Sequence, residues 1–383
     1  MPSGPPASKV FSLGYHPSLG FVKQNAMDTP WGPLSELDHG DQDLALRIIK
    51  TDKDTLVDGL IVEHTFDKIL RPLTASAESG LTILNIETII VSLEQQRIAF
   101  VWARSRERGL GRYLLALAKG MPVYLIDYAD GEFFATPFRE QHLKKEARLP
   151  LTELASSITK KGPNVREVSL AVRDARRTNT AYWGFLDPVY KDKLWDGVIL
   201  ARLLINHGLS PYFHGVWNLD RVCLYQDKLW VLEIKHKFPM KNMALGINVG
   251  EVQNIAMLHG LGIECLYTML VNPVRKPRTS AMYLYNNREL QEQVAVIAMN
   301  LGVRAKALLA TEPKKAPSHT SISGNQEMDY YQIRPESFSY LGSFADPMRT
   351  LGKNLLAALD GETGERVRPA LLDELSERAK ALT

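Results

Sequence analysis

The sequence predicts an α/β protein, α+β overall, with mixed sheets flanked by helices. Short β-branched and aromatic runs such as TILNIETIIVSL, RIAFVWA and LWVLEIK alternate with stretches whose apolar residues recur at helical spacing. Turn signals separate these runs, notably Ala129-Asp130-Gly131 and Gln226-Asp227-Lys228. Hydrophobic residues make up 45% and charged residues 23% of 383, enough to build cores for two or three ordinary domains.

The elements follow in order. Residues 1–40 are rich in Pro, Gly and Ser and read as an irregular N-terminal arm. Residues 41–148 read as a separate α+β domain. Its first helix carries Leu44, Leu46, Ile48 and Ile49, and its second carries Leu56, Leu60 and Ile61. Strands follow over 80–102. RSRERGLGRYLLALAKG is then a basic, glycine-containing loop entering a helix that stops near Gly120. The stretch MPVYLIDYADGEFFATPF folds back on itself at Asp130-Gly131. A polar connecting segment, 149–189, leads to a helix from Asp192 to His207, whose stripe is Leu194, Val198, Leu200, Leu203 and Leu204. Strands and a helix then alternate to about Val271. SAMYLYN is expected as a further strand and RELQEQVAVIAMNLG as a helix, closing a unit over 190–302. ATEPKKAPSHTSISGNQ has the composition of a linker, giving 303–327 as flexible and 328–383 as a helical C-terminal tail. Within that tail, helices are expected near Met348–Leu359 and Arg368–Leu382.

Composition excludes several classes. The 46 basic and 43 acidic residues leave a formal charge of +3, which neither requires nor forbids a nucleic-acid partner. The two cysteines, Cys223 and Cys265, sit in apolar runs and are too few for a disulfide scaffold or a Cys-rich zinc module. The N-terminus lacks a signal-peptide core, and no apolar run approaches a membrane span, so an intracellular, cytoplasmic protein without a membrane partner is expected.

Chemistry concentrates in WNLDRVCLYQDKLWVLEIKHKFP. RVCLY and LWVLEIK are β-prone and separated by a short polar turn, so they form an antiparallel hairpin. Alternation puts Trp230, Leu232 and Ile234 on one face and Val231, Glu233 and Lys235 on the other. With Gln226-Asp227 as the turn, Asp220 lies opposite Glu233; with Asp227-Lys228, it lies opposite Lys235. Either register keeps Asp220 on the face of Glu233 and Lys235. Two carboxylates on an apolar sheet need a compensating cation, and oxygen-only ligation suits Mg²⁺ or Mn²⁺. Such an ion activates water and polarises a phosphate, while Lys235 can orient the water or offset growing negative charge. The residues also have structural readings, Asp220 as a turn cap and Glu233 with Lys235 as an edge-strand charge pair.

Asp220 followed by Glu233-Ile234-Lys235 on the next strand resembles the PD-(D/E)xK nuclease superfamily over residues 190–302. Leu219 stands where the motif's Pro would be. The resemblance implies a restriction-endonuclease-like mixed sheet flanked by helices, led by the Asp192–His207 helix. It implies Mg²⁺, or Mn²⁺, held by Asp220, Glu233 and the Ile234 backbone carbonyl, with Glu251 as a further candidate ligand. It also implies a catalytic role for Gln253, with Asp196 the first-helix acid. The implied activity is magnesium-dependent phosphodiester hydrolysis, of DNA ahead of RNA, in restriction, repair, transposition or phage defence. The alternative is an inactive nuclease-like subunit that binds nucleic acid or assembles a larger complex, and a homodimer is compatible with either. Lys237, Lys241, Arg275, Lys276 and Arg278 are candidate backbone contacts, and Arg104, Arg106, Arg108 and Arg112 surround a helix start that can receive phosphate.

Overall fold

The computed structural model describes residues 27–52, 56–76, 79–139, 148–164, 175–272, 281–320, 324–362 and 364–382. Among these, the strands assemble into two six-stranded sheets, a three-stranded sheet and a two-stranded ladder. The protein is therefore mixed α/β. The described helices include none long and apolar enough to cross a membrane.

The sheet that carries the candidate site runs in the order Ser339–Ser343, Ala295–Asn300, Ile263–Val271, Lys228–Lys237, Arg221–Tyr225, Leu81–Leu84. Lys228–Lys237 is parallel to Ile263–Val271 and antiparallel to Arg221–Tyr225. The parallel pair needs a crossover, and the helix Val249–Gly260 supplies it. That helix starts cleanly because the Asn248 side chain accepts from the Gly250 N–H.

Helices cover both faces. Trp230, Leu232 and Ile234 share a core with Phe66, Ile69 and Leu70 of the helix Leu56–Thr74, and with Leu351 and Leu355 of the helix Met348–Leu359. On the opposite face, Cys265, Tyr267 and Met269 pack with Val252 and Ile255 of the Val249–Gly260 helix.

The second sheet runs in the order Leu149–Pro150, Glu132–Pro137, Val123–Ala129, Gln96–Ala103, Ile86–Leu93, His214–Leu219. The chain passes between the two large sheets twice, at Asn85 and at Asp220. These crossings are neighbours, because Leu84 pairs with Val222 in one sheet and Thr88 with Leu219 in the other. A two-stranded ribbon thus bends from one sheet into the other, and Asp220 stands at the bend.

Several expectations change. SAMYLYN contributes a helix, Ala281–Asn286, in place of a strand. RELQEQVAVIAMNLG divides into the helix Arg288–Gln291, the strand Ala295–Asn300 and the start of the helix Leu301–Leu309. Val296, Ile297 and Ala298 are buried on both faces of the sheet, and a continuous apolar run of that length is ambiguous between helix and strand. The stretch 303–327 holds most of the Leu301–Leu309 helix, the strand Lys314–Thr320 and the start of its partner Gly324–Ile333 in place of a linker. The tail adds the strand Ser339–Ser343 to its helices Met348–Leu359 and Pro369–Leu382. From the N-terminal arm, Met27 and Leu34 are buried in the same core as Leu151 and Leu204.

Candidate active site

The turn of the site hairpin is the two-residue Gln226–Asp227 form. Tyr225 pairs with Lys228 and Arg221 with Leu232, and both turn residues have positive φ, 46° and 60°. Of the two registers open to the sequence, this one aims Asp220 at Glu233. The ladder stops at Arg221, where the ribbon bends, and the Asp220 side chain continues it: Oδ2 accepts from the Ile234 N–H at 2.7 Å. An extended residue points its N–H and C=O to the same side, so the Ile234 carbonyl faces the same gap.

Glu233 is fully buried on the face turned toward the Val249–Gly260 helix. Lys235 donates to Glu233 Oε1, and its Nζ lies 3.7 Å from Asp220 Oδ2 and 3.3 Å from Glu251 Oε1. One ammonium is shared by three carboxylates from the bend, the strand and the helix. Tyr267, on the adjacent parallel strand, donates to Glu251 Oε2 at 3.4 Å, and Thr268 Oγ1 donates to the Glu233 carbonyl at 3.1 Å.

Electrostatics follow from this crowding. Burial, together with Asp220 and Glu251, pushes the Glu233 carboxyl up to about 8 against the pull of Lys235. Burial disfavours the Lys235 ammonium, but Asp220, Glu233 and Glu251 outweigh it and hold its pKa well above the ordinary lysine range. Burial would raise Glu251, yet Lys235 and Lys237 bring it below the usual carboxylate value. Lys237 is lowered by burial, with Lys235 adding repulsion.

Asp220, Lys235 and Glu251 line a cleft of about 1020 Å³ between the helix Leu56–Thr74, the helical run over 190–206 and the bend of the ribbon. The cleft adds residues that local sequence patterns do not reveal. Arg221 leaves the opposite face of its strand and forks onto Asp67, with Nε–Oδ1 and Nη2–Oδ2 both 2.8 Å, while its Nη1 meets Glu63 Oε2 at 3.1 Å and the Asp220 carbonyl at 2.5 Å. Burial lifts Glu63 to about 7, with Arg221 opposing and Asp220, Glu87 and Asp67 adding. Glu87 is held by Arg104 at 3.0 Å. Arg221→Met is expected to cost about 2–3 kcal/mol in urea unfolding at pH 7, less than a fully buried pair because Arg221 and Asp67 are 24% and 36% exposed. Arg221→Lys should recover only part of that loss, since an ammonium cannot make the fork.

The structure brings Asp220, Glu233, Lys235 and Glu251 together and leaves other expected residues apart. Gln253 is exposed and absent from the cleft lining, because two steps along a helix turn it about 200° from Glu251. Asp196 is exposed on the cleft wall. Lys237 continues the site strand, and Lys241 is exposed beyond it. Arg275, Lys276 and Arg278 lie outside the described residues. Arg108 and Arg112 sit 3.7 and 3.6 Å from Asp227 at the hairpin turn, away from the cleft, whereas Arg104 lines it.

As the side chains stand, no group of three or more His, Cys, Asp or Glu among the described residues is arranged to hold a metal ion. The cation among the acids is Lys235. The donor chemistry nevertheless suits a hard divalent ion: the donors are carboxylates and a strand carbonyl, and Glu233 Oε2 is buried without a hydrogen-bond partner. No protein-family model, curated protein or solved structure matches this chain.

Proposed function

We propose that the protein is a metal-dependent nuclease hydrolysing phosphodiester bonds, with DNA the preferred substrate. The observation that carries this reading is the single ammonium of Lys235 shared by Asp220, Glu233 and Glu251 in a large cleft. Such a cluster is an expensive way to build a sheet, and strongly perturbed acids in a cleft mark functional sites.

The resemblance to the PD-(D/E)xK superfamily is kept in a changed form, because His214–Leu219, the strand expected before Asp220, belongs to the second sheet. A helix, Leu56–Thr74, precedes Leu81–Leu84, Arg221–Tyr225 and Lys228–Lys237, then the Val249–Gly260 helix and Ile263–Val271. In this reading the leading helix is Leu56–Thr74 and its acid is Glu63, in place of the Asp192–His207 helix and Asp196. Residues 86–219, including the second sheet, are then an insertion between the first two strands.

Asp220, Glu233 and the Ile234 carbonyl would hold the divalent ion, with Glu251 beside them. When bound, the ion supplies Lewis acidity toward a phosphate oxygen and a lowered pKa for water. Lys235 keeps its proton and neutralises charge on the phosphate as the bond to the leaving oxygen breaks. Tyr267 and Lys237 fix the charge and orientation of Glu251.

The test is cleavage of labelled DNA and RNA in Mg²⁺, Mn²⁺ or EDTA. Cutting is expected with either ion, none in EDTA, and a loss of at least about 10²-fold in Asp220→Ala. Cutting that persists in Asp220→Ala, or no cutting of any substrate in either ion, would overturn the assignment.

A further inference from the structure

We infer that the cleft accepts a single DNA strand, not a duplex, and that Tyr190 is the platform on which an unpaired base beside the scissile phosphate stacks. This rests on the nuclease reading for the reaction, but the binding preference stands or falls separately.

Size is the first argument. At about 1020 Å³ the cleft has the scale of a small-ligand pocket, room for a short stretch of one strand and not for the surface that a duplex covers. The reacting groups are recessed: Glu233 is fully buried, and Asp220, Glu251 and Lys235 are only 13%, 19% and 23% exposed. A phosphate must therefore come inside to reach them.

Charge is the second. The lining carries six acidic and five basic side chains. A duplex presents one negative charge per roughly 1.7 Å of axis and is gripped by surfaces rich in Lys and Arg. This lining is not such a surface, and a single strand, with its lower charge density, is repelled by it less than a duplex is.

The third argument is what the remaining wall offers. Leu60, Ile83, Val198 and Ile205 present apolar surface, and Tyr190 and Trp217 present rings. Apolar and aromatic walls recognise base faces, and those faces are hidden in a duplex and open in a single strand. Tyr190 is half-buried, and its ring lies over Gly197, at van der Waals distance from where a Cβ would stand. It meets Phe185 edge-on, with ring centroids 6.4 Å apart. Its neighbours Glu63 and Arg221 belong to the catalytic end of the cleft, so a base on this ring lies beside the phosphate that reacts.

Full-length protein would be given one sequence as a single strand, a blunt duplex and a duplex with a single-stranded tail. Cleavage would be followed in Mn²⁺ and equilibrium binding in EDTA. The single strand and the tail should be cut, with the blunt duplex at least about tenfold slower, and binding should show the same order. Tyr190→Ala should weaken single-strand binding and raise KM roughly 5- to 150-fold with little change in kcat, while Tyr190→Phe stays near wild type. Gly59→Leu is a second probe: Gly59 lines the cleft, and a Cβ there meets nothing within 4 Å. It should leave the melting temperature unchanged or higher while reducing single-strand binding by narrowing the cleft. Equal binding of blunt duplex and single strand, or an unchanged affinity in Tyr190→Ala, would overturn the inference. Single-strand preference without any cutting would instead uphold it and remove the nuclease reading.

Discussion

Glu233→Gln is expected to abolish hydrolysis and, in the same protein, to raise thermal stability at alkaline pH. The activity loss, at least about 10²–10³-fold, follows from removing an oxygen donor that would lose its proton on binding the metal. The stability gain follows from burial. Glu233 is fully buried, and its folded pKa is pushed up to about 8 from an ordinary 4.5 by burial, Asp220 and Glu251. An acid whose folded pKa is raised keeps its proton in the native state while the unfolded chain has already released it, so stability falls as pH rises between the two values. The penalty is absent below about pH 4.5 and complete above about pH 8. It amounts to a few kcal/mol at most, on the order of 1.4 kcal/mol per pH unit of separation. Glutamine has the same shape and no charge to bury, and Lys235 retains Asp220 and Glu251 as partners. Melting curves in EDTA from pH 4.5 to 9 should coincide at the acid end and separate by several degrees at the alkaline end. A variant less stable than wild type at pH 8.5 would show that the Glu233–Lys235 pair is worth more than Glu233 costs.

How far the sequence discloses this site depends on chain separation. The hairpin was legible because its determinants are local: a polar two-residue turn, β-prone arms and alternation that keeps Asp220 with Glu233 and Lys235. Glu251 was legible for a similar reason, since a crossover helix directly after the site strand returns over the same sheet face. Gln253 failed on helical angle, because it is only two residues from Glu251 and therefore points away. Glu63 and Asp67 were invisible. They lie on a helix more than a hundred residues before Arg221, and nothing in LVDGLIVEHTFDKILRPLT distinguishes a carboxylate aimed at a buried guanidinium from one in water.

The same physics limited the fold. Leu81–Leu84 reads as part of one continuous β-rich stretch with Ile86–Leu93, yet the chain bends at Asn85 and sends the two halves into different sheets. A bend of that kind is set by which distant strand completes each edge. Lys314–Thr320 and Gly324–Ile333 read as linker because Lys314, Lys315 and Pro317 are exposed, so no buried apolar alternation marks the first of them. They are strands through pairing with each other and with Leu245–Asn248. Short helical and extended apolar runs were likewise interchangeable at 281–300: Val294–Met299 are buried throughout, which removes the period, and SAMYLYN is too short to show one.

Lys235→Met is expected to be the most destabilising single change in the site and the one most responsive to metal. It leaves Asp220, Glu233 and Glu251 facing one another without their shared cation, and removing one partner from a buried ion cluster costs about 3–5 kcal/mol. The pH dependence has a defined sign. The folded pKa of Lys235 is raised, so its contribution is fully present below the ordinary lysine value and is lost only as pH climbs through the folded value. The folded pKa of Glu251 is lowered, so its share is present above the ordinary carboxylate value and disappears as pH falls through the folded value. The variant should therefore be weakest across the neutral range and approach wild type in acid, where the carboxyls take up protons. Divalent metal provides the contrast. If the three acids and the Ile234 carbonyl form a metal site, Mn²⁺ replaces the missing charge, and at about a hundred times its dissociation constant it returns about 2.7 kcal/mol. Melting temperature should rise with Mn²⁺ more in Lys235→Met than in wild type, and Asp220→Ala should abolish that response. Hydrolysis should stay lost in Lys235→Met even at saturating Mn²⁺, because an ion that restores the charge of the cluster does not restore the ammonium beside the phosphate. A variant that neither loses stability at pH 7 nor responds to Mn²⁺ would show that Lys235 is a surface charge resting near three acids and not the cation around which the cleft is built.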